Sequence, residues 1–348
     1  MKKWLGIFML LTMLTSILSG CTPNTSKTTE ESSEKSSMES KPLSSDSNLS
    51  ASETPNPASD VTKEGTWPRT IVDATGAEIV LEKKPERITL LHIVYLEHFL
   101  ALGVPPTAAA LGNAQGDTES LEASELLWPY LKDVDMTMLG NSKDLSLEAV
   151  LESKPDVIVT FHNPSGLEQY EQLAEIAPVI QINYADTWQN QLKLCAEILG
   201  MEDKAASIIA EVEQKITETK TVLAPYADRS FALFRTDGKN FMAQSTAKYY
   251  ELFALTKPEG FTGNTGTGKL ESISVETVSE MNPYYIVFQH NYDVAKAFVD
   301  SMKDNSVWQS LEAVKNGRVY YFDENMNSFG PLSIRLGADK ITEIYTRQ

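Results

Sequence analysis

The longest uninterrupted helical pattern in the chain is the segment Met201–Leu223. Its apolar side chains recur at steps of three and four residues, which places them on one face of an α-helix. Neither Gly nor Pro interrupts the segment, and Pro225 follows it. The pattern therefore predicts a helix of about 34 Å, the width of a small domain.

On both sides of this helix, short apolar runs alternate with helical patterns, which is typical of parallel sheets covered by helices. Before it, a hairpin is predicted over residues 70–81. The units that follow the hairpin are predicted as strands Ile88–Tyr95, Asp156–Thr160 and Val179–Ile182 and helices Leu96–Leu102, Leu145–Ser153 and Gly166–Ile176. After the long helix we predict strands Phe231–Phe234, Phe241–Gln244, Ile286–Phe288 and Val319–Phe322 and helices Lys248–Leu255, Val294–Met302 and one beginning at Pro331.

An internal repeat relates the two sides. The segment 146–163 reads SLEAVLESKPDVIVTFHN, the segment 274–291 reads SVETVSEMNPYYIVFQHN, and nine of the eighteen positions are identical without a gap. Some of these identities can arise by chance, because any segment with a helix cap, a helix, a Pro and a strand in this order favours the same residue types. That order does not explain the coincidence of the Glu148/Glu276 pair and of the His-Asn pairs that end both segments. The repeat predicts two related lobes.

The repeat also places its polar residues at one edge of each sheet. Ligands of open α/β sheets bind beyond the carboxyl ends of the strands, and His162 and His290 each follow a strand. The preceding helix runs antiparallel to its strand, so Glu148 and Glu276 in its first turn lie at the same edge. Ser146 and Ser274 precede these turns as N-caps. The simpler interpretation of both Glu residues is favourable placement at a helix N-terminus on a solvated surface.

The N-terminus carries a secretory signal. Two Lys residues precede an apolar run that ends in Leu18-Ser-Gly-Cys21, and the run is too short for a spanning helix. Residues 22–66 are rich in Ser, Thr, Glu, Lys and Pro, and such a segment buries too little apolar surface to fold. We expect a signal peptide over residues 1–20 and a disordered tether over residues 21–66.

Composition excludes several classes of partner and site. The formal charge is −18; the signal contributes +2 and the tether −4, which leaves −16 on the folded part. This charge argues against nucleic acid as a partner. Cys195 is the only other cysteine and is interpreted as a buried helix residue, so neither a disulfide nor a Cys-based zinc site is expected.

Several motifs in a fixed order resemble a known family. They include Thr70-Ile-Val-Asp-Ala-Thr-Gly76, Ala101-Leu-Gly-Val104, Ser146-Leu-Glu148 with Lys154-Pro-Asp156, Trp308-Gln-Ser-Leu311, Ala313-Val-Lys-Asn-Gly-Arg-Val-Tyr320 and Gly330-Pro-Leu-Ser333. From about residue 69 to the C-terminus, the chain is similar to the iron-siderophore (ferric chelate) substrate-binding lipoproteins of ABC importers. These belong to the periplasmic-binding-protein family with two lobes joined by one long helix.

The resemblance implies a fold of class α/β: two Rossmann-like lobes with central parallel-rich sheets, and a ligand cleft between them. It assigns residues 67–200 to the N-terminal lobe, 201–223 to the inter-lobe helix and 224–348 to the C-terminal lobe. A continuous helix is a stiff connector, so only small closing motions are expected. The N-terminal stretch resembles a lipobox, which implies lipidation of Cys21 and anchoring to the outer face of a cell membrane, with a Gram-positive cell suggested by the tether. A plain signal with an incidental Cys is the alternative.

The resemblance also implies partners. Glu148 and Glu276 are expected to dock on Arg residues of an ABC permease, which works with its ATPase. The ligand is expected to be a ferric chelate, with no cofactor, and the protein is expected to be a monomer.

The cleft residues follow from the strand-end rule. Those expected to bind the ligand are His92, Phe161, His162, Arg235, His290, Asn291 and Tyr292, with Trp128, Tyr184 and Trp188 as nearby loop aromatics. Arg235 is the best single candidate because a guanidinium can pair with the negative oxygens of a chelate; a surface ion pair is its alternative. Arg335, in the last helix, is a weaker candidate.

Alternatives remain open at this point. No metal is expected to bind the protein directly, but His162 and His290 could ligate one, as axial ligands of haem for example; a haem or a corrinoid is therefore the rival ligand. Few basic residues near the cleft favour a hydroxamate, citrate-type or mixed chelate over a triscatecholate. The motif Gly263–Lys269 matches G-x-x-x-x-G-K, but Leu270 stands where a P-loop needs Ser or Thr, so a loop over the cleft is expected. No catalytic motif is found, and a surface-anchored enzyme is the distant alternative.

Overall fold

The computed structural model describes residues 65–111, 121–163, 169–262 and 270–347. The chain divides into two units, residues 1–58 and 59–348, and the first unit lies outside the described ranges. The predicted signal peptide, Cys21, nearly all of the predicted tether and the segment Gly263–Lys269 also lie outside them. Within these ranges, no helix has both the length and the apolar composition needed to cross a bilayer.

The first lobe begins with the predicted hairpin, strands β1 (Arg69–Val72) and β2 (Glu78–Leu81), which pair antiparallel. The remaining strands of this lobe form one sheet: β3 (Ile88–Leu90), β4 (Ala108–Leu111), β5 (Thr137–Asn141), β6 (Val157–Phe161) and β7 (Val179–Ile182). Its helices are α1 (Leu96–Ala101), α2 (Trp128–Leu131), α3 (Leu147–Glu152), α4 (Tyr170–Ile176) and α5 (Trp188–Leu199). All five strands of the sheet are parallel, in the order β5-β4-β3-β6-β7.

A single long helix, α6 (Glu202–Leu223), leads into the second lobe. The strands of that lobe are β8 (Phe231–Thr236), β9 (Phe241–Ala243), β10 (Ser272–Ile273), β11 (Tyr285–Gln289) and β12 (Val319–Phe322). Its helices are α7 (Tyr249–Leu252), α8 (Val275–Met281), α9 (Tyr292–Ser301), α10 (Ser306–Ser310), α11 (Glu312–Lys315) and α12 (Pro331–Thr346). The sheet order is β10-β9-β8-β11-β12; β8, β11 and β12 are parallel, whereas β9 is antiparallel to both of its neighbours.

The two sheets share one strand order. If the strands are counted from the first of each sheet, both run 3-2-1-4-5, and the repeated segments supply the fourth strand of each. Both strands begin and end at equivalent positions of the repeat. Even the backbone agrees, because Lys154 and its repeat equivalent Asn282 both adopt positive φ, at 48° and 40°. The predicted fold class, α/β with two related lobes, is confirmed.

Helix α6 packs against the first lobe through α5 and against α12 of the second lobe. Its buried positions include Ala205, Ile208, Val212 and Leu223, which lie on the predicted apolar stripe. The exposed face carries two cross-helix ion pairs to α12, Glu211–Arg335 and Lys215–Asp339. At about 1.5 Å per residue the helix is about 33 Å long, so it connects the lobes as a rigid element.

Some predicted elements are wrong in extent. The apolar run 88–95 is a strand only over Ile88–Leu90, after which the chain turns into a 3₁₀ helix, Ile93–Tyr95. His92 makes that break, because its Nδ1 accepts a hydrogen bond from the Val94 N–H at 3.3 Å. Strand β4 has the sequence AAAL and was not predicted, since alanine lacks the β-branched signal of a strand.

The packing of α6 yields a stability prediction. Ile208→Ala is expected to lower the free energy of unfolding by about 2–5 kcal/mol, because it leaves a cavity between α6 and its neighbours. Urea unfolding followed by circular dichroism measures this. The control is Val222→Ala on the same helix, where the side chain is 41% exposed and we expect little change. Equal effects of the two substitutions would contradict the packing described here.

Candidate functional site

In each lobe the strand order reverses at one point, between the first and the fourth strand of the sheet. Loops leave the carboxyl ends of those two strands in opposite directions, which opens a crevice where ligands of such folds bind. In the first lobe the point lies between β3 and β6. His92 follows β3 and Phe161 ends β6, and their rings meet edge to face with centroids 5.5 Å apart.

The electrostatics of this first crevice are close to neutral. Burial lowers the pKa of His92, so its imidazole is uncharged at neutral pH, and its Nδ1 is already occupied by the Val94 N–H. Phe161 leaves 37% of its surface exposed. The backbone N–H of His162 donates to Ile182 O at 2.7 Å, and its Nδ1 is buried without a hydrogen-bond partner in the described part of the chain.

In the second lobe the reversal lies between β8 and β11. Arg235 is the penultimate residue of β8, and His290 follows β11. Arg235 is half-buried, and its side chain has no hydrogen bond or ion pair with any residue of the described ranges. A half-buried cation without a counter-charge is costly, and the folded part has a large excess of carboxylates. The Arg235 guanidinium is therefore available to an anionic group.

A cavity at this edge has a volume of about 360 Å³ and is bounded by both lobes. The second lobe contributes the ends of β11 and β12, and the first lobe contributes residues 123–125. His290 Nδ1 lies 3.7 Å from a carboxylate oxygen of Glu324. Tyr292 is 57% exposed, and its ring meets that of Tyr321 at a centroid distance of 5.2 Å. The cavity thus combines aromatic surface with polar groups at the strand ends.

A smaller cavity of about 130 Å³ lies where the lobes meet. Ile93 and Tyr184 line it from the first lobe, and Asn325 and Ser328 from the second. Its lining also includes the side chain of Glu97, which is 1% exposed. Burial raises the pKa of this carboxyl, while hydrogen bonds from Ser328, Ser333 and Gly330 oppose the shift.

The paired Glu residues stand apart from both cavities. Glu148 and Glu276 are exposed in the first turns of α3 and α8, with Ser146 and Ser274 as N-caps, as predicted. In each case the Glu backbone and the N-cap serine lower the carboxyl pKa, so both side chains are ionised at neutral pH. Because each helix runs antiparallel to the strand that follows it, both carboxylates lie at the carboxyl edges of the two sheets.

The structure does not bring all of the predicted cleft residues together. His290, Asn291 and Tyr292 line the larger cavity and Tyr184 lines the smaller. Trp128 is not a loop residue but begins α2, and it is half-buried. Trp188 begins α5 and is 5% exposed, so its placement near the cleft as a loop aromatic is wrong.

The structure places the two predicted ligand-binding arginines in different environments. Arg235 lies within β8 rather than after it, because the strand continues to Thr236 before its hairpin turn. Arg335 bonds to Glu211 of α6 at 2.7 Å and lies on the helical surface.

The fourth histidine, His98, is fully buried in α1, and burial lowers its pKa to about 3. Among the described residues, no three His, Cys, Asp or Glu side chains are grouped to hold a metal ion.

Sequence reasoning missed the acidic residues of the cleft. Asp323 and Glu324 directly follow the correctly predicted strand β12, so applying the strand-end rule to that strand would have found them. Glu97 left no comparable signal, since a charged residue in a short helix is expected to face solvent.

A family model described as "Periplasmic binding protein" matches residues 88–326. The curated relatives include two from Bacillus subtilis (strain 168). The Fe(3+)-citrate-binding protein YfmC is 27% identical over 263 residues, which cover 74% of this chain and 79% of the relative. The iron(3+)-hydroxamate-binding protein FhuD is 27% identical over 292 residues, which cover 79% of this chain and 85% of the relative.

Solved structures share the fold. The triscatecholate siderophore-binding protein FeuA from Bacillus subtilis, complexed with ferri-bacillibactin, aligns with a TM-score of 0.64 and 23% identity, covering 80% of this chain and 99% of that one. SirA from Staphylococcus aureus, complexed with staphyloferrin B, aligns with a TM-score of 0.63 and 21% identity, covering 79% and 98%.

Proposed function

Because the chain belongs to the periplasmic binding protein family, we propose that it is the substrate-binding component of an ABC importer and captures a ferric chelate. The observation that carries this proposal is the cavity of about 360 Å³ that lies between the carboxyl ends of β11 and β12 in the second lobe and residues 123–125 of the first. A site shared by two lobes can enclose a ligand and release it when the lobes separate. The relatives named above bind ferric citrate, ferric hydroxamates and ferri-bacillibactin, which supports iron chelates as the ligand class.

The charges of the site narrow the class of chelate. The larger cavity is lined by Asp323 and Glu324 and by no Lys or Arg among its described lining residues. His92 at the other crevice is neutral. A triscatecholate carries a high negative charge and would meet little compensation here, whereas a ferric hydroxamate or citrate-type chelate needs at most one or two cationic contacts. Arg235 supplies one, and Phe161 and Tyr292 cover organic surface.

The remaining parts of the proposal concern location and partners. A Cys21 lipid anchor would hold the protein at the outer face of the membrane, and the Ser- and Thr-rich segment that follows the secretory signal would serve as its tether. We propose that the protein acts there as a monomer, that it binds its ligand without catalysing a reaction, and that Glu148 and Glu276 dock it on the permease, which works with its ATPase.

Intrinsic tryptophan quenching of the intact protein tests the ligand class. The panel contains a ferric trihydroxamate, ferric citrate, a ferric triscatecholate and haem. We expect the hydroxamate or citrate-type chelate to bind with a Kd of about 1 µM or lower. Binding of the triscatecholate alone would contradict the chelate class, a Soret shift with haem alone would support the haem alternative, and binding of none would contradict the function.

The same titration tests Arg235. Arg235→Ala is expected to weaken chelate binding about ten- to a hundredfold, because a charge-assisted hydrogen bond contributes about 1.5–3 kcal/mol. The matched control is Arg335→Ala, which removes a guanidinium that bonds to α6 outside the cleft and should leave the Kd unchanged. Equal affinities for the wild type and Arg235→Ala would remove Arg235 from the site.

Docking is tested by iron uptake in cells that express the protein with its own permease. The double variant Glu148→Gln/Glu276→Gln is expected to lower uptake of the ⁵⁵Fe-labelled chelate by about tenfold or more while leaving its Kd unchanged, since paired charges across an interface are lost. The repeat offers a matched control, Glu152→Gln/Glu280→Gln, on the same two helices and equally exposed. Equal uptake by the two double variants would contradict docking through Glu148 and Glu276.

A further inference from the structure

Helix α12 of the second lobe is capped by a side chain of the first lobe. Gly330 occupies its N-cap position and has no side chain that could accept the free N–H groups of the first turn. The Glu97 carboxylate of α1 takes that role. It accepts hydrogen bonds from the Gly330 N–H, the Ser333 N–H and the Ser333 hydroxyl, each at 2.7 Å.

The contact between Glu97 and Gly330 is tight. A Cβ added to Gly330 would lie 2.5 Å from the Glu97 Cδ atom, so only glycine allows this approach. The carboxylate is fully buried, and a buried charge is tolerated only when its acceptor capacity is filled. Three hydrogen-bond donors fill the acceptor capacity of Glu97, and the positive end of the α12 dipole stabilises its charge. Glu97 thus fixes the start of α12 against the first lobe.

The second lobe makes the reciprocal contact. Asp323, directly after β12, accepts hydrogen bonds from the Ser124 hydroxyl at 2.6 Å and from the Leu126 N–H at 2.9 Å. Ser124 in turn accepts the Leu127 N–H at 3.0 Å. Asp323 therefore holds the turn that leads into α2 of the first lobe. Each lobe contributes one carboxylate that binds main-chain N–H groups of the other.

The Asp323 contact lies at the start of one segment, residues 323–333, and the Glu97 contact lies at its end. Its middle is a 3₁₀ helix, Glu324–Ser328, which the buried Tyr249 fixes by donating a hydrogen bond to Met326 O at 3.0 Å. Within the segment, Ser328 and Ser333 bond through their hydroxyl groups at 2.9 Å. Glu324 and Asn325 of the same segment line both cavities of the cleft. The segment is therefore a wall of the ligand site that is fastened to the opposite lobe at both ends.

We propose that Glu97 and Asp323 are positioning residues that act together as one latch, holding the segment 323–333 and thereby fixing the width of the ligand cleft. The two fastenings are coupled because one short segment carries both, and its 3₁₀ helix and the bond between the Ser328 and Ser333 hydroxyl groups hold it together. Breaking one fastening releases the segment and weakens the other. The inference rests on the proposed function only where it concerns the ligand; the latch itself is a property of the protein alone.

Hydrogen exchange of the intact protein, resolved to single amides, tests the coupling. In Glu97→Gln the side chain keeps one acceptor oxygen and gains an NH2 group, which must face either the Gly330 N–H or the Ser333 N–H, because these bond to different oxygens of Glu97. Exchange of at least one of those two amides must therefore accelerate. The decisive amide is Leu126, which bonds to Asp323 and not to Glu97. We expect its exchange to accelerate about tenfold, as for the loss of a buried hydrogen bond. An unchanged rate at Leu126 would overturn the coupled latch and leave Glu97 as a local helix cap.

The reverse experiment uses Asp323→Asn and follows the amides of Gly330 and Ser333, which are expected to accelerate. Ser333→Ala removes the hydroxyl donor to Glu97 and the bond to the Ser328 hydroxyl, but leaves the Glu97 carboxylate in place. It gives a milder test if Glu97→Gln does not fold, and exchange at Leu126 should again accelerate. The matched control is Glu211→Gln, which breaks an exposed ion pair between α6 and the same helix α12. Acceleration at Leu126 in this control, equal to that in Glu97→Gln, would also overturn the proposal.

The affinity for the ferric chelate connects the latch to the site. Glu97→Gln and Asp323→Asn are each expected to weaken binding about tenfold, because the cleft must then be narrowed at the expense of binding energy, whereas Glu211→Gln should leave it unchanged. Unchanged affinity in both latch variants would show that the latch does not set the cleft. If the wild type binds no ferric chelate, the proposed function fails, and exchange at Leu126 still decides whether the latch exists.

Discussion

The reversal of strand order in each sheet is the constraint on which the site depends. Because strands 1 and 4 lie side by side, their following loops diverge and leave a crevice at the carboxyl edge of the sheet. The duplicated lobe carries the same order on both sides of α6. His92 and Phe161 lie at one crevice, and Arg235 and His290 at the other. In the proposed function the two crevices form one site, because α6, α12 and the contacts between the lobes hold the sheets in a fixed relation.

The contacts between the lobes obey simple electrostatic rules. Helix α12 begins with a glycine and needs an acceptor for its free N–H groups, and Glu97 supplies it from the other lobe. Asp323 does the same for the turn before α2. Burial disfavours the Glu97 charge, as the direction of its pKa shift indicates, and the three donors offset that cost. The buried carboxylate of Glu97 and that of Asp323 thus satisfy backbone N–H groups of the opposite lobe, and the ion pair Lys340–Glu125 adds a charged contact between the lobes.

The periodicity of apolar residues predicted correctly those helices and strands whose apolar pattern is strong. The apolar stripe of α6 and the strands β7 and β12 have the extents that the sequence predicts, and the repeat identified the equivalent strands β6 and β11. The alanine-rich β4 was missed because burial in a parallel sheet, not propensity, makes it a strand. His92 shows the limit at residue level: its place after a strand was foreseeable, but the hydrogen bond to Val94 that ends the strand was not. The capping role of Glu97 could not be predicted from the sequence, because its hydrogen-bond partners lie more than 200 residues away along the chain.

The most direct test of the account is the position of the iron in a crystal of the protein grown with the ferric chelate that binds most tightly. An anomalous difference map at the iron absorption edge locates the metal without assumptions about the ligand. The account predicts one peak between the lobes, facing the carboxyl ends of β3 and β6 on one side and of β8 and β11 on the other. A peak on the outer helical surface, or one held within a single lobe away from the segment 323–333, would contradict it.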